Sequence, residues 1–143
     1  LARDAGAQHV IDYKHEDVAA AAMKATDGKG VDRIIEVDIA ANAVADLACL
    51  RMGGEVVVYG SGAGKFELDF FPLIVKNVEL RFFIVYNLDL EQRARAINTL
   101  RRLLEKGAVQ HNIAQRLPLE DIAKAHDLVQ DGKAGGNVVL KVA

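Results

Sequence analysis

The sequence predicts a doubly wound α/β fold on a mostly parallel sheet, and three observations carry that prediction. Strand-like and helix-like patterns alternate four times along the chain. The runs Val31–Val37 and Val56–Tyr59 show little polar alternation, as strands covered on both faces do. The third is the apolar run Glu55–Tyr59, which empties into Gly60-Ser-Gly-Ala-Gly64. Loops at the carboxyl ends of parallel strands line the ligand crevice of such sheets.

The elements follow in order. His9–Tyr13 reads as a short strand after Gly6, and Glu16–Thr26 as a helix with Val18, Ala21, Ala22 and Ala25 on one side. Asp27-Gly-Lys-Gly30 ends that helix and leads into the strand Val31–Val37. Ala40–Met52 is expected to be helical, burying Val44, Leu47, Ala48 and either Leu50 or the apolar stem of Arg51, until Gly53-Gly54 stops it before the strand Glu55–Tyr59. Phe70–Lys76 forms a short helix that tolerates Pro72 in its first turn. Val78–Tyr86 reads as a strand that starts with Glu79 and Arg81 facing out and ends as a solid apolar run. Leu90–Lys106 carries the helical stripe Ala94, Ile97, Leu100 and Leu104, with Gly107 behind it. Strand Ile113–Leu117, helix Glu120–Gln130 and strand Asn137–Val142 close the chain.

Composition excludes several classes of function. The chain has 143 residues, 51% hydrophobic and 27% charged, with a net charge of −2 and no basic cluster, so a nucleic-acid partner is not expected. No apolar run reaches membrane-spanning length. The single Cys49 leaves no internal disulfide and no multi-cysteine zinc site, and it reads as a core residue, consistent with a reduced, cytoplasmic setting. His9, His15 and His111 have no metal-ligand spacing, and His126 is read as structural. Glu36 and Asp38 are read as a strand-end cap and a solvated edge rather than as a catalytic pair, and no nucleophile–base set is present.

The glycines fail both common phosphate-binding motifs. A GxGxxG turn would need glycine where Lys65 stands, and a P-loop would need it at Tyr59 and a Ser or Thr at Phe66. Two readings stay open on the residues alone: a secondary ligand loop at the crevice, or a turn without a ligand.

Five phrases occur in register: Ala5-Gly-Ala-Gln-His-Val-Ile-Asp-Tyr13, Gly30-Val-Asp-Arg-Ile-Ile-Glu-Val37, Gly53-Gly-Glu-Val-Val-Val-Tyr-Gly60, Leu117-Pro-Leu-Glu-Asp-Ile-Ala-Lys-Ala-His126 and Gly132-Lys-Ala-Gly-Gly-Asn-Val-Val-Leu140. With them the chain resembles the medium-chain dehydrogenase/reductase superfamily over nearly its whole length, most closely the zinc-independent quinone oxidoreductase, or zeta-crystallin-like, branch. The resemblance implies a Rossmann-like domain, with sheet order 3-2-1-4-5-6. It also implies that the chain starts after the second strand of that sheet. The GroES-like catalytic domain, the glycine-rich pyrophosphate turn and the second-strand residues that choose between phosphorylated and plain cofactors would then lie outside it. Residues 113–143 would return toward the catalytic domain.

The resemblance further implies an NADPH-dependent oxidoreductase (NADH being possible), passing hydride to a quinone or activated alkene and needing no metal. A zinc-dependent alcohol dehydrogenase of the same superfamily and a non-enzymatic nucleotide-binding or self-association module are the alternatives. Candidate cofactor residues are carried over position by position. Tyr13 would sit near the adenosine end, where a phenol stacks on adenine. Asn42 would meet the adenosine side, its amide donating and accepting at once; a helix N-cap is the competing role. Gly60, Ser61 and Gly62 would approach the nicotinamide ribose, and the backbone of Phe83, Ile84 and Val85 the nicotinamide amide. A weaker correspondence places Asn137 near the cofactor. Relatives pair through the strand matching Val78–Tyr86, which implies a homodimer. The chain by itself is expected to be inactive and to bind cofactor weakly or not at all, for want of the pyrophosphate turn.

Overall fold

The computed structural model describes residues 1–142, and the chain divides into two compact units. One runs from Ala7 to Ala94; the other joins Leu1–Gly6 to the chain from Arg95 onward.

The first unit is a three-stranded, all-parallel sheet in the order β1-β2-β3, built from β1 (Val31–Glu36), β2 (Leu50–Val58) and β3 (Glu79–Phe82). Helix α1 (Val18–Ala25) precedes β1, α2 (Ile39–Cys49) crosses from β1 to β2, and α3 (Phe70–Lys76) crosses from β2 to β3. The register sets Ile34 beside Val56 and Val56 beside Leu80, so these side chains form one row on one face. That row meets Ile39, Ala43 and Leu50, and Leu50 and Val56 are only 1% exposed.

Local chemistry explains the element ends. Asp17 caps α1 by accepting from the Ala20 amide at 2.9 Å. The Thr26 hydroxyl donates to the Ala22 carbonyl and accepts from the Gly30 amide at 3.0 Å, stitching α1 to the start of β1. Gly30 has φ +83, and a Cβ there would lie 2.7 Å from the Arg51 nitrogen and the Cys49 carbonyl. Only glycine meets both demands. The Lys76 ammonium donates to the Leu47 carbonyl at 2.5 Å and the Leu50 carbonyl at 2.8 Å, satisfying the C-terminal end of α2.

In the second unit β4 (Ile113–Pro118) and β5 (Asn137–Lys141) form their own two-stranded parallel sheet, with α5 (Ile122–Gln130) as the crossover. Asn112 closes it, its amide donating to the Gly135 carbonyl at 3.2 Å while its carbonyl accepts from the Asn137 amide at 2.8 Å. Helix α4 (Leu90–Glu105) runs across the division between the units.

Several expectations are corrected. His9–Tyr13 is not a strand: it pairs with no neighbour among the described residues, and Tyr13 falls in a turn in which the Asp12 carbonyl accepts from the His15 and Glu16 amides. The parallel strands are covered on one face only. Ile35 and Val37 are 64% and 56% exposed, because α2 lies on the Ile34–Glu36 side. The buried stripe of α2 is Ile39, Ala43, Asp46, Leu47 and Cys49, leaving Val44 82% exposed and Ala48 exposed. The buried face is thus rotated to take in Asp46, a charged residue. Helix α2 also ends three residues early, and β2 begins at Leu50 through an irregularity that lets Leu50 pair with Val31. The fourth predicted strand stops at Phe82, and Val85–Asn87 form a 3-10 turn instead. The stripe of α4 stays in solvent, with Ile97 58% exposed.

Candidate functional site

The carboxyl ends of the three parallel strands converge on one apolar cavity of about 510 Å³. Ile39 and Val58 form its floor. Tyr59, Gly60, Ser61, Ala63, Gly64, Phe66, Phe82, Phe83, Ile84 and Asn87 complete its lining. Two tilted aromatic pairs stiffen the rim: Tyr59 with Phe83 at 6.2 Å between ring centres, and Phe66 with Phe82 at 6.3 Å.

Backbone bonds tie the strand ends into one frame. The Tyr59 amide donates to the Glu36 carbonyl at 3.0 Å, and the Phe83 amide to the Val58 carbonyl at 3.1 Å. The Ile39 amide reaches the Gly60 carbonyl at 3.4 Å. Gly60 packs so closely on the Val37 carbonyl that no Cβ fits between them.

Side chains set the loop. Asp38 accepts from the Gly62 amide at 2.7 Å, holding the glycine turn against the β1–α2 junction. The Ser61 hydroxyl donates to the Ala63 carbonyl at 2.8 Å, so it closes the loop on itself. Behind the loop, Glu36 is buried at 5% exposure, and its Oε1 accepts from the Asp38 amide and from Asn42 Nδ2, the latter at 3.0 Å. Asp46, one turn beyond Asn42 and 8% exposed, turns its carboxyl toward Glu36 as well. Burial, and then the Glu36 charge, push the Asp46 carboxyl up to about 7. Its Oδ2 has no hydrogen-bond partner among the described residues.

The structure therefore brings Gly60, Ser61, Phe83 and Ile84 into the lining of one cavity, with Gly62 held by Asp38 and Val85 in the adjoining 3-10 turn. Asn42 lies outside the cavity, in the first turns of α2, with its amide engaged by Glu36 rather than capping the helix. Tyr13 stands apart in its turn, 74% exposed, and Asn137 begins β5 in the other unit. Glu36 caps the strand end as read, from a buried position and by accepting from the Asp38 amide, whereas Asp38 is half-buried and anchors the loop rather than lying at a solvated edge. Sequence reasoning missed Asp46, although Asn42 and Asp46 are four apart and so share a helix face. Among the described residues no cluster of His, Cys, Asp or Glu could hold a metal ion.

A parallel βαβαβ sheet with a glycine-lined cavity at its carboxyl edge belongs to the nucleotide-binding class of doubly wound α/β folds. Comparison with known proteins narrows that class. Residues 5–140 match the model of the zinc-binding dehydrogenase family, and the chain belongs to that family, within the medium-chain dehydrogenase/reductase group. It is 31% identical over 137 residues to a quinone oxidoreductase of Lama guanicoe, an alignment covering 94% of this chain and 41% of the relative. A solved NAD-dependent alcohol dehydrogenase superposes with TM-score 0.81 at 26% identity, covering 99% of this chain and 40% of that one. A mycobacterial protein solved in complex with NADPH superposes with TM-score 0.78 at 26% identity, covering 98% and 45%. The chain thus spans about two fifths of the length of the curated relatives it matches.

Proposed function

We propose that the protein carrying this chain is an NADPH-dependent oxidoreductase that reduces a quinone or an activated alkene. The carrying observation is the cavity at the strand ends, with Gly60 pressed on the Val37 backbone and Phe83 and Ile84 facing it. Such a site fits a nicotinamide: an apolar slot for a flat ring, bordered by a glycine loop that lets a ribose approach the main chain. Residues Gly60, Ser61 and Gly62 would hold the ribose side, and the backbone of Phe83, Ile84 and Val85 the carboxamide. Since the Ser61 hydroxyl is turned into its own loop, that contact would be made by backbone. Asn42 would serve the adenosine side through its amide oxygen, and Tyr13 would complete that end. When bound, the nicotinamide supplies a hydride from its C4; the chain's part is to orient the ring and keep water from it.

The likeness to a quinone oxidoreductase and to an NADPH complex supports this reading. The likeness to an alcohol dehydrogenase supports a second one, a zinc-dependent alcohol dehydrogenase. The test is NADPH oxidation by the full gene product with a panel of quinones and enones, alongside metal analysis. Turnover without stoichiometric zinc is expected. Activity on alcohols that is lost on chelation would select the second reading, and no turnover with any acceptor would reject both. Self-association through β3, one of the two edge strands of the three-stranded sheet, is part of the same proposal, as is a cytoplasmic setting. Among the described residues no helix is long and apolar enough to cross a membrane.

A further inference from the structure

The buried acids Glu36 and Asp46 have no part in hydride transfer, yet they sit at the root of the cofactor loop. One oxygen of Glu36 holds both the Asp38 amide and Asn42 Nδ2, and Asp38 in turn holds the Gly62 amide at 2.7 Å. Asp46 faces the same Glu36 from the next turn of α2, is more than nine-tenths buried, and has an Oδ2 without a donor. Two carboxylates cannot both stay ionised in such a place; one proton between them removes the repulsion and gives the orphaned oxygen a role.

We infer that Asp46 and Glu36 form a hydrogen-bonded carboxyl–carboxylate pair that acts as a positioning device, fixing Asn42 and, through Asp38, the Gly60–Gly62 loop for the nicotinamide cofactor. The proton resides on Asp46 and is donated to Glu36, which leaves Glu36 free to accept from Asp38 and Asn42. Three other titratable or charged groups face this region from the elements packed there. Cys49 on α2 is buried and neutral, Lys76 from α3 is engaged by the Leu47 and Leu50 carbonyls, and Asp17 at the start of α1 is another acid. Losing the proton sets two negative charges against each other and loosens the chain of bonds that ends at Gly62. Cofactor affinity therefore falls as the pH rises through about 7, the value to which the Asp46 carboxyl is raised.

The inference rests on the proposed cofactor site, and its test separates the two. NADPH affinity of the full gene product is measured by fluorescence from mildly acid to alkaline pH for the wild type, Asp46→Asn and Glu36→Gln. Wild-type affinity is expected to weaken several-fold across neutrality. Asp46→Asn keeps a donor toward Glu36 at every pH, and Glu36→Gln gives Asp46 a donor of its own, so both profiles should stay flat. Taking each variant against the wild type removes the cofactor's own titration. Parallel profiles for all three proteins would overturn the inference while leaving the cofactor site standing. Should no nicotinamide cofactor bind at any pH, the functional reading falls, and hydrogen exchange of the Gly62 amide decides the rest. Protection lost above neutrality in the wild type but kept in Asp46→Asn sustains the pair; equal protection in both rejects it.

Discussion

The two units solve the same problem differently. In the Ala7–Ala94 unit a parallel sheet lies against α2, and seven apolar residues are buried. From Arg95 onward only Ala125 among the described residues is buried to that degree, and Ile122, Val129 and Val139 stay 45%, 60% and 39% exposed. Both units contain a βαβ crossover, so the motif alone does not explain the contrast. A third strand and further helices do: they widen the covered face so that its centre is shut off from water, whereas a helix over two strands leaves its rim in water.

The comparison can be broken at its strongest point first. Leu50→Ala, in the most enclosed position of the first unit, should lower stability by about 3 kcal/mol in urea unfolding. Gly30→Ala should cost about 2–3 kcal/mol in the same measurement, since the new methyl group meets backbone at 2.7 Å and φ is +83. Lys76→Met, which takes the cation from two α2 carbonyls, should cost about 1–2 kcal/mol. Val139→Ala in β5 should change stability by less than about 1 kcal/mol, its side chain being partly solvated already. If Val139→Ala proved as damaging as Leu50→Ala, the contrast between the units would be wrong.

A pH series sharpens the same contrast. Asp46 has its folded-state pKa raised from the ordinary 3.8 to about 7, so the folded chain holds a proton that the unfolded chain releases. That contribution is fully present below about 4, declines as the pH climbs and is gone above about 7. Thermal melts of the wild type should therefore fall over that window relative to Asp46→Asn. No comparable slope should come from substitutions in the second unit.

The sequence made some of this legible. Alternation identified the α/β class, and the glycines after Tyr59 were placed correctly at the strand ends because apolar runs that stop at glycine mark buried parallel strands. Phe83 and Ile84 line the same cavity as the glycine loop. What escaped depended on partners distant in sequence. His9–Tyr13 has strand-like residues but no strand to pair with among the described residues, and a strand exists only as part of a ladder. Phe83–Tyr86 has the composition of a strand, yet the ladder with β2 ends at Val58–Phe82. The buried stripe of α2 takes in Asp46 beside a second buried acid, against the usual exposure of charged residues.

Cys49 is the chain's single thiol and is 6% exposed on α2, three residues beyond Asp46. Burial first, and then the Asp46 charge, raise its pKa, so little reactive thiolate forms while the helix is seated. An alkylating reagent can reach it only when α2 lifts from the sheet. The protein thus carries its own chemical clock, whose rate of modification counts the breathing of the segment that bears Asn42.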